Sequence, residues 1–192
     1  ILAISTAHPD LYIARDGASL AVRGSDGRFH VMGRGLTDFT VKQWLSADGD
    51  PRPSDDASLK HGAFCTASGC VMTNTKNEKI ILGLARDDLE EDCKIASILI
   101  TPYYAPQICS NAFVIDRDVV DRYGAVALYR DESAKAEKPN TNTYRIEGAR
   151  DPAKNRPWMR SALRSAQNAP DTTKEPTLRT PPDPEAEALT PR

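Results

Sequence analysis

The chain has 192 residues, of which 40% are hydrophobic and 27% are charged, and its formal net charge is −2. This composition is typical of a globular domain and excludes disorder throughout the chain. The sequence contains no run of 18 apolar residues, so no segment of it spans a membrane by itself. Since basic residues are not in excess, the composition gives no support for strong autonomous binding of nucleic acid.

The sequence divides into a globular part and a tail. Residues 9–150 carry most of the apolar residues and form the predicted β-rich domain. Residues 151–192 hold 8 of the 14 prolines and a single aromatic residue, Trp158, which predicts a proline-rich flexible tail. Because the sequence begins with Ile1 and not with a methionine, we expect a fragment or a processed chain.

The first 50 residues predict three strands and a helix. Short apolar runs at 11–14, 20–23 and 29–32 alternate with Asp-Gly turns, a pattern typical of a β-meander. Apolar residues then recur at helical spacing after Thr37 and Asp38, either of which can cap a short helix that ends near Gly49.

The second half predicts strands that alternate with helices. We expect a hairpin of 71–72 with 80–84, a helix over 89–96, strands at 98–100, 112–115, 125–129 and 143–146, and a helix over 116–123. Strands first, followed by alternating strands and helices, predict an α/β or α+β fold, a mixed β-rich sandwich with short helices.

Four cysteines provide the clearest chemical signal: Cys65, Cys70, Cys93 and Cys109. Their number and grouping favour two disulfides, and we expect the local pairing of the first with the second and the third with the fourth. Two alternatives stay open, namely free thiols and a zinc site, although the spacing fits structural zinc poorly. Disulfides would place the domain outside the cytoplasm.

No catalytic residues and no cofactor are predicted. The three histidines, His8, His30 and His61, are too dispersed for a hydrolytic zinc centre, and His30 is expected to be an ordinary solvent-facing or hydrogen-bonded residue. The sequence has no Gly-x-Ser-x-Gly elbow, no phosphate-binding loop and no dinucleotide fingerprint, and Ser68 is assigned to a turn.

Charged groups have structural explanations that we favour over functional ones. The acidic residues at the start of the predicted helix 89–96 are explained better by the helix dipole than by a divalent-ion site. An acidic residue near position 116 is expected to cap the next helix. The arginines of the meander are expected to be solvated rather than to contact phosphates. The residues concerned are Asp87, Asp88, Glu90, Glu91, Asp92, Asp116, Asp118, Arg15, Arg23, Arg28 and Arg34.

The order of several short motifs resembles the C-terminal soluble region of ComEC-type competence proteins, which import single-stranded DNA in natural transformation. The resemblance covers residues 9–130 and one tripeptide near the tail. The matching segments are Pro9–Ile13 with Asp16-Gly17, Leu20–Gly24 with Asp26–Arg28, Phe39-Thr40, Trp44-Leu45, Cys65 with Gly69-Cys70, Glu91–Cys93, Ala105-Pro106 with Cys109, Val114–Arg117, Gly124–Leu128 and Arg156–Trp158.

This resemblance implies a fold, a location and partners. The fold would be a shortened, degenerate metallo-β-lactamase-like domain, since the His-x-His-x-Asp-His motif of the family is missing from the sequence. Residues 1–8 would link it to a preceding segment of an inner-membrane protein, and the domain would face the periplasm. Its partners would be single-stranded or double-stranded DNA, the rest of the membrane protein and the competence machinery.

Two other functions remain alternatives to a non-catalytic domain for DNA uptake. The first is a degenerate hydrolase or nuclease that recruits a metal through carboxylates such as Asp87, Asp88 and Asp116. The second is a secreted, disulfide-bonded binding module that has no connection with DNA.

Overall fold

The computed structural model describes residues 8–131 and 144–150, all of which belong to one compact unit. The predicted linker, apart from its last residue, and the predicted tail at 151–192 lie outside these residues. The described elements are β1 (Leu11–Ile13), β2 (Ser19–Arg23), β3 (Phe29–Gly33), α1 (Asp38–Asp48), a short 3₁₀ helix (Ala57–Lys60), β4 (Phe64–Cys65), β5 (Gly69–Thr73), β6 (Lys79–Gly83), α2 (Leu89–Ile95), β7 (Ile98–Ile100), β8 (Phe113–Ile115), α3 (Arg117–Tyr123), β9 (Val126–Arg130) and β10 (Tyr144–Gly148).

Ten strands of the described chain form two five-stranded sheets. Sheet 1 has the order β10-β9-β1-β2-β3, and each strand is antiparallel to its neighbours. Sheet 2 has the order β4-β5-β6-β7-β8. Its first three strands are antiparallel and its last three are parallel, so the second half of sheet 2 needs helical or long crossovers.

The main core lies between the two sheets. Alternate residues of most strands point into it, among them Leu11 and Leu128 of sheet 1 and Leu82 and Ile100 of sheet 2, all of which are fully buried. This burial removes the apolar faces of both sheets from water and is the main stabilising contribution to the fold.

Each sheet is covered on its outer face by a helix. Helix α1 packs on sheet 1, where Trp44 contacts the residues of β2 and β3 that point away from the core, and its ring stacks on that of Tyr12. Helix α2 packs on sheet 2 through Cys93, which lies against Ile81 and Leu99. The layers therefore follow the order helix, sheet, sheet, helix.

The helix ends follow the capping residues of the sequence. Thr37 caps α1, and its hydroxyl accepts a hydrogen bond from the Thr40 amide at 3.2 Å; Gly49 ends the helix. Asp116 caps α3 and accepts from the amides of Asp118 and Val119. Asp88 precedes α2 but makes no capping hydrogen bond with its side chain.

The structure confirms the predicted class, a mixed α/β fold with two sheets and short helices. One difference is that β5 runs from Gly69 to Thr73 and is longer than the predicted strand at 71–72. It begins at Gly69 because a hydrogen bond from the Thr66 amide to the Gly69 carbonyl closes the turn before it. Within the described ranges, no helix is long and apolar enough to cross a bilayer.

Candidate functional site

Both disulfides have the local pairing that the spacing of the cysteines favours. Cys65 of β4 is bonded to Cys70 of β5, directly across the ladder, and Cys93 of α2 is bonded to Cys109 in the loop before β8. The first bond closes the hairpin at one edge of sheet 2, and the second fastens a helix to a loop on the outer face of the same sheet. None of the four cysteines is free.

A groove of about 390 Å³ lies on the outer face of sheet 2, beside the Cys65–Cys70 bond. One wall is the β4–β5 hairpin, the floor includes β6, and the other wall is α2. The volume falls in the range of small-ligand or side-chain pockets. Its lining consists of Phe64, Thr66, Ser68, Gly69, Cys70, Val71, Lys79, Ile81, Asp88, Asp92 and Ile95.

Two large apolar side chains stand exposed on opposite walls of this groove. Phe64 of β4 is 75% exposed and Ile95 at the end of α2 is 57% exposed. Neither residue stands out in the sequence, because each has an apolar neighbour along the chain and no local pattern places the two on one groove. Exposed apolar residues that share a concave surface indicate binding more strongly than scattered ones.

Carboxylates make the helical wall of the groove acidic. Asp92 is partly buried, and this burial, together with the charge of Asp88 one helical turn away, raises the pKa of Asp92 above its usual value. Lys79 of β6 supplies a positive charge to the lining. The groove therefore combines apolar contacts with an acidic side, which suits a ligand that is apolar and cationic.

The hydroxyl groups of the groove are not arranged for catalysis. The Thr66 and Ser68 hydroxyls lie 3.2 Å apart and hydrogen-bond to each other, which confirms a turn position for Ser68. The lining contains no histidine that could act as a base for either hydroxyl.

A second polar cluster lies at the start of β6 and joins the two sheets. One oxygen of Glu78, Oε2, accepts hydrogen bonds from the Tyr144 hydroxyl and the Asn74 amide at 2.6 Å each, and from the Arg130 guanidinium. Asp10 lies on the other side of Arg130, with 3.8 Å between its Oδ2 and the guanidinium Nε. Residues far apart in the sequence form this cluster, so sequence patterns could not reveal it.

Burial and hydrogen bonding act on this cluster in opposite directions. Burial alone would raise the pKa of Glu78, but hydrogen bonds from Arg130, Tyr144 and Asn74 outweigh burial and lower that pKa. For Asp10, burial dominates over the attraction of Arg130 and raises the pKa. Tyr144 also has a raised pKa because it is buried and donates to Glu78. The cluster is a hydrogen-bonded support between the sheets.

The three histidines lie apart from one another in the structure. His30 is buried, with its Nδ1 at 3.0 Å from the Ser58 carbonyl and its Nε2 at 2.9 Å from Asp26. His8 pairs with Asp48, and His61 is exposed at the end of the 3₁₀ helix. Among the described residues, no group of three or more His, Cys, Asp or Glu is placed to hold a metal ion.

The acidic residues singled out in the sequence have different roles in the structure. Asp116 uses both carboxylate oxygens, one for the cap of α3 and the other for the Ala105 amide at 3.1 Å. Glu91 forms an exposed ion pair with Lys94. The structure therefore brings Asp116 into backbone hydrogen bonds and leaves the carboxylates of Asp88 and Asp92 at the groove.

The arginines of the meander have different environments. Arg23 donates to the Pro9 carbonyl and to Asp48, and its guanidinium lies 4.3 Å from the centre of the Phe29 ring, so it holds the start of β1 to the end of α1. Arg34 donates to the Ala67 carbonyl of the β4–β5 turn. Arg15 and Arg28 are exposed.

The chain matches no protein-family model, and no curated protein or solved structure matches it.

Proposed function

We propose that this chain is a non-catalytic, extracytoplasmic C-terminal domain of a ComEC-like membrane protein, and that it supports DNA uptake in natural transformation. The observation that carries the proposal is the pair of disulfides. Both cysteine pairs belong to the ordered motifs that resemble the ComEC region, and both are oxidised. Because disulfides persist in oxidising compartments, they support a position on the periplasmic side of an inner membrane.

The layer order supports the finer part of the proposal, a shortened metallo-β-lactamase-like domain. Two β-sheets pack face to face, and α1 and α2 cover their outer faces. Several segments of the resemblance lie at structurally important positions in this arrangement, such as the β1–β2 hairpin and the Asp116 cap of α3. The motif order therefore follows the order of elements that build the sandwich.

The contacts of the polar groups support a non-catalytic role. Both ring nitrogens of His30 have hydrogen-bond partners within the fold, and the Asp116 carboxylate accepts hydrogen bonds from three backbone amides. The alternative hydrolase would need Asp116 together with Asp87 and Asp88 at a metal. Metal analysis of the purified protein, followed by nuclease and esterase assays with and without a chelator, separates the two functions, since bound metal and chelator-sensitive turnover would favour the hydrolase.

The groove beside the Cys65–Cys70 bond is the best candidate for contact with the rest of the membrane protein. Asp88 and Asp92 on its wall would repel phosphate groups, so DNA is a poor occupant. An apolar polypeptide segment that carries a basic residue fits both the exposed Phe64 and the acidic wall. DNA would then contact another surface of the assembled channel.

Transformation of a naturally competent host tests the proposal. We expect deletion of residues 9–150 from the full-length protein to lower the transformation frequency strongly without removing a nuclease activity. Phe64→Ser should also lower this frequency, whereas Phe39→Ser is the matched control, because Phe39 is 71% exposed on α1, on the other side of the sandwich. An unchanged frequency after the deletion would contradict the proposed function.

The groove also fits a second candidate, the secreted binding module, because it offers a concave apolar surface on a disulfide-bonded domain. The coding DNA upstream of Ile1 distinguishes these two functions. A series of apolar segments of about 20 residues each would support the membrane protein. A signal peptide alone would support the secreted module.

A further inference from the structure

The two disulfides differ in their accessibility. Cys65 is exposed, whereas Cys70 is only 5% exposed. In the other bond, Cys93 is 2% and Cys109 is 7% exposed. Thiol–disulfide exchange requires an incoming thiolate to reach one sulfur of the bond, so an exposed cysteine on one side is sufficient for attack.

The surroundings of the two bonds also leave the first bond more accessible than the second. Cys65 belongs to β4, a strand of two exposed residues at the edge of sheet 2. Cys93 and Cys109 lie in the apolar cluster between α2 and the outer face of sheet 2, together with Ile81 and Leu99. A thiolate can approach the first bond in the folded protein, but it reaches the second only when α2 or the loop before β8 moves away.

We propose that the Cys65–Cys70 bond is a thiol-exchange site for a protein dithiol, and that the Cys93–Cys109 bond is a permanent structural link. A thiolate of the dithiol attacks Sγ of Cys65, the bond breaks, and Cys70 leaves as a thiolate that takes up a proton. The second thiol of the partner then attacks the mixed disulfide and releases Cys65. The domain gains two thiols, and the partner is oxidised to a disulfide.

Exchange at this site would alter the groove. The bond joins the two residues that face each other in the β4–β5 ladder, and Phe64 and Cys70 both line the groove. Without the bond, β4 is held by its short ladder with β5, by the Thr66–Gly69 turn and by the hydrogen bond from Arg34 to the Ala67 carbonyl of that turn. Release of β4 would remove the wall that carries Phe64 and would leave β5 at the edge of sheet 2. The redox state of one bond thereby sets whether the groove is complete.

Timed alkylation of the purified full chain tests this assignment, which does not depend on a role in DNA uptake. The folded protein is treated with dithiothreitol as the dithiol, quenched with iodoacetamide at intervals and digested for mass spectrometry. We expect Cys65 and Cys70 to be alkylated at least about tenfold faster than Cys93 and Cys109. Equal rates, or faster alkylation of the second pair, would overturn the proposal.

A double variant tests the structural consequence. Cys65→Ser with Cys70→Ser should unfold cooperatively and keep the slow reduction of the Cys93–Cys109 bond. Its amide hydrogen exchange should be faster only in Phe64–Cys65 of β4 and Gly69–Thr73 of β5. Collapse of the whole fold in this variant would show that the Cys65–Cys70 bond is structural. Unchanged amide hydrogen exchange in β5 would show that the bond does not hold β4 at the edge of sheet 2. Either result would overturn the proposal that the redox state of this bond controls the groove.

Discussion

The Tyr144 hydroxyl donates a hydrogen bond of 2.6 Å to Oε2 of Glu78, and this contact joins the last described strand of sheet 1 to the start of β6 in sheet 2. Tyr144 is 8% exposed, and its ring packs against that of Phe113 at the far edge of sheet 2. The side chain thus combines apolar packing with a charge-assisted hydrogen bond, and its position fixes β10 on the sandwich.

Tyr144→Phe isolates the hydrogen bond from the packing. We expect the free energy of unfolding to fall by about 1–2 kcal/mol, because Glu78 loses one donor while the ring stays in place. Denaturant unfolding followed by circular dichroism measures this change. Tyr129→Phe on the neighbouring strand is the control, since Tyr129 is less buried than Tyr144; an equal loss in both variants would contradict a special role for the contact with Glu78.

Glu78→Gln tests the electrostatic part of the same cluster. Hydrogen bonds hold the pKa of Glu78 below its unfolded value of 4.5, so the ionised carboxylate contributes stability above pH 4.5. This contribution is lost as the pH falls through the lower pKa of the folded state. The variant should therefore be less stable than the wild type at pH 7, and the difference should shrink as the pH falls below 4.5.

Thermal unfolding at several pH values measures that difference. Glu147→Gln on the exposed surface of β10 is the matched control, and its effect should be small at every pH. If the difference in thermal stability between the wild type and Glu78→Gln did not depend on pH, the charge of Glu78 would not contribute to stability.

Local features of the sequence account for most of the fold. The Asp-Gly turns and the alternation of apolar residues predict β1 to β3, and Thr37 with Gly49 marks both ends of α1. These signals succeed because they act over a few residues, where backbone sterics and burial of one face decide the structure. The Asp116 cap of α3 is another example.

The polar cluster and the groove could not be predicted in the same way. Glu78 and Tyr144 are 66 positions apart, and they meet because β10 returns to the edge of sheet 1 opposite the start of β6. The groove is formed by the β4–β5 hairpin, β6 and α2, which are separate segments of the chain. Both features follow from the arrangement of the sheets, which a pattern along one strand does not contain.

Asp92→Asn tests the electrostatic character of the groove wall. Burial and the charge of Asp88 raise the pKa of Asp92 above its unfolded value of 3.8, so ionisation of Asp92 costs stability at neutral pH. The cost is absent below pH 3.8, where the carboxyl is protonated in both states. We expect the variant to melt a few degrees higher than the wild type at pH 7 and to lose this advantage at pH 3.

The control for this variant is Glu90→Gln, which removes a charge of the same sign from the exposed first turn of α2. It should not raise the melting temperature, because an exposed carboxylate near the start of a helix is favourable. A gain of equal size in both variants would mean that the overall negative charge of α2, and not the burial of Asp92, is responsible.

A pair of glycine variants tests the close approach of the backbones at the end of β3 and the start of β2. Gly33 has φ +121°, and a Cβ at this position would lie 2.3 Å from the Ala18 carbonyl oxygen and 2.6 Å from the Ser19 Cα, both of which are backbone atoms. Gly27 also has a positive φ, of +76°, but a Cβ there would meet nothing within 4 Å.

We expect Gly27→Ala to lower the free energy of unfolding by about 1 kcal/mol from backbone conformation alone. Gly33→Ala should cost about 3 kcal/mol or more, since the backbone of β2 has to move as well. Denaturant unfolding of the two variants measures the difference, and equal losses would contradict the close approach of the β2 backbone to Gly33.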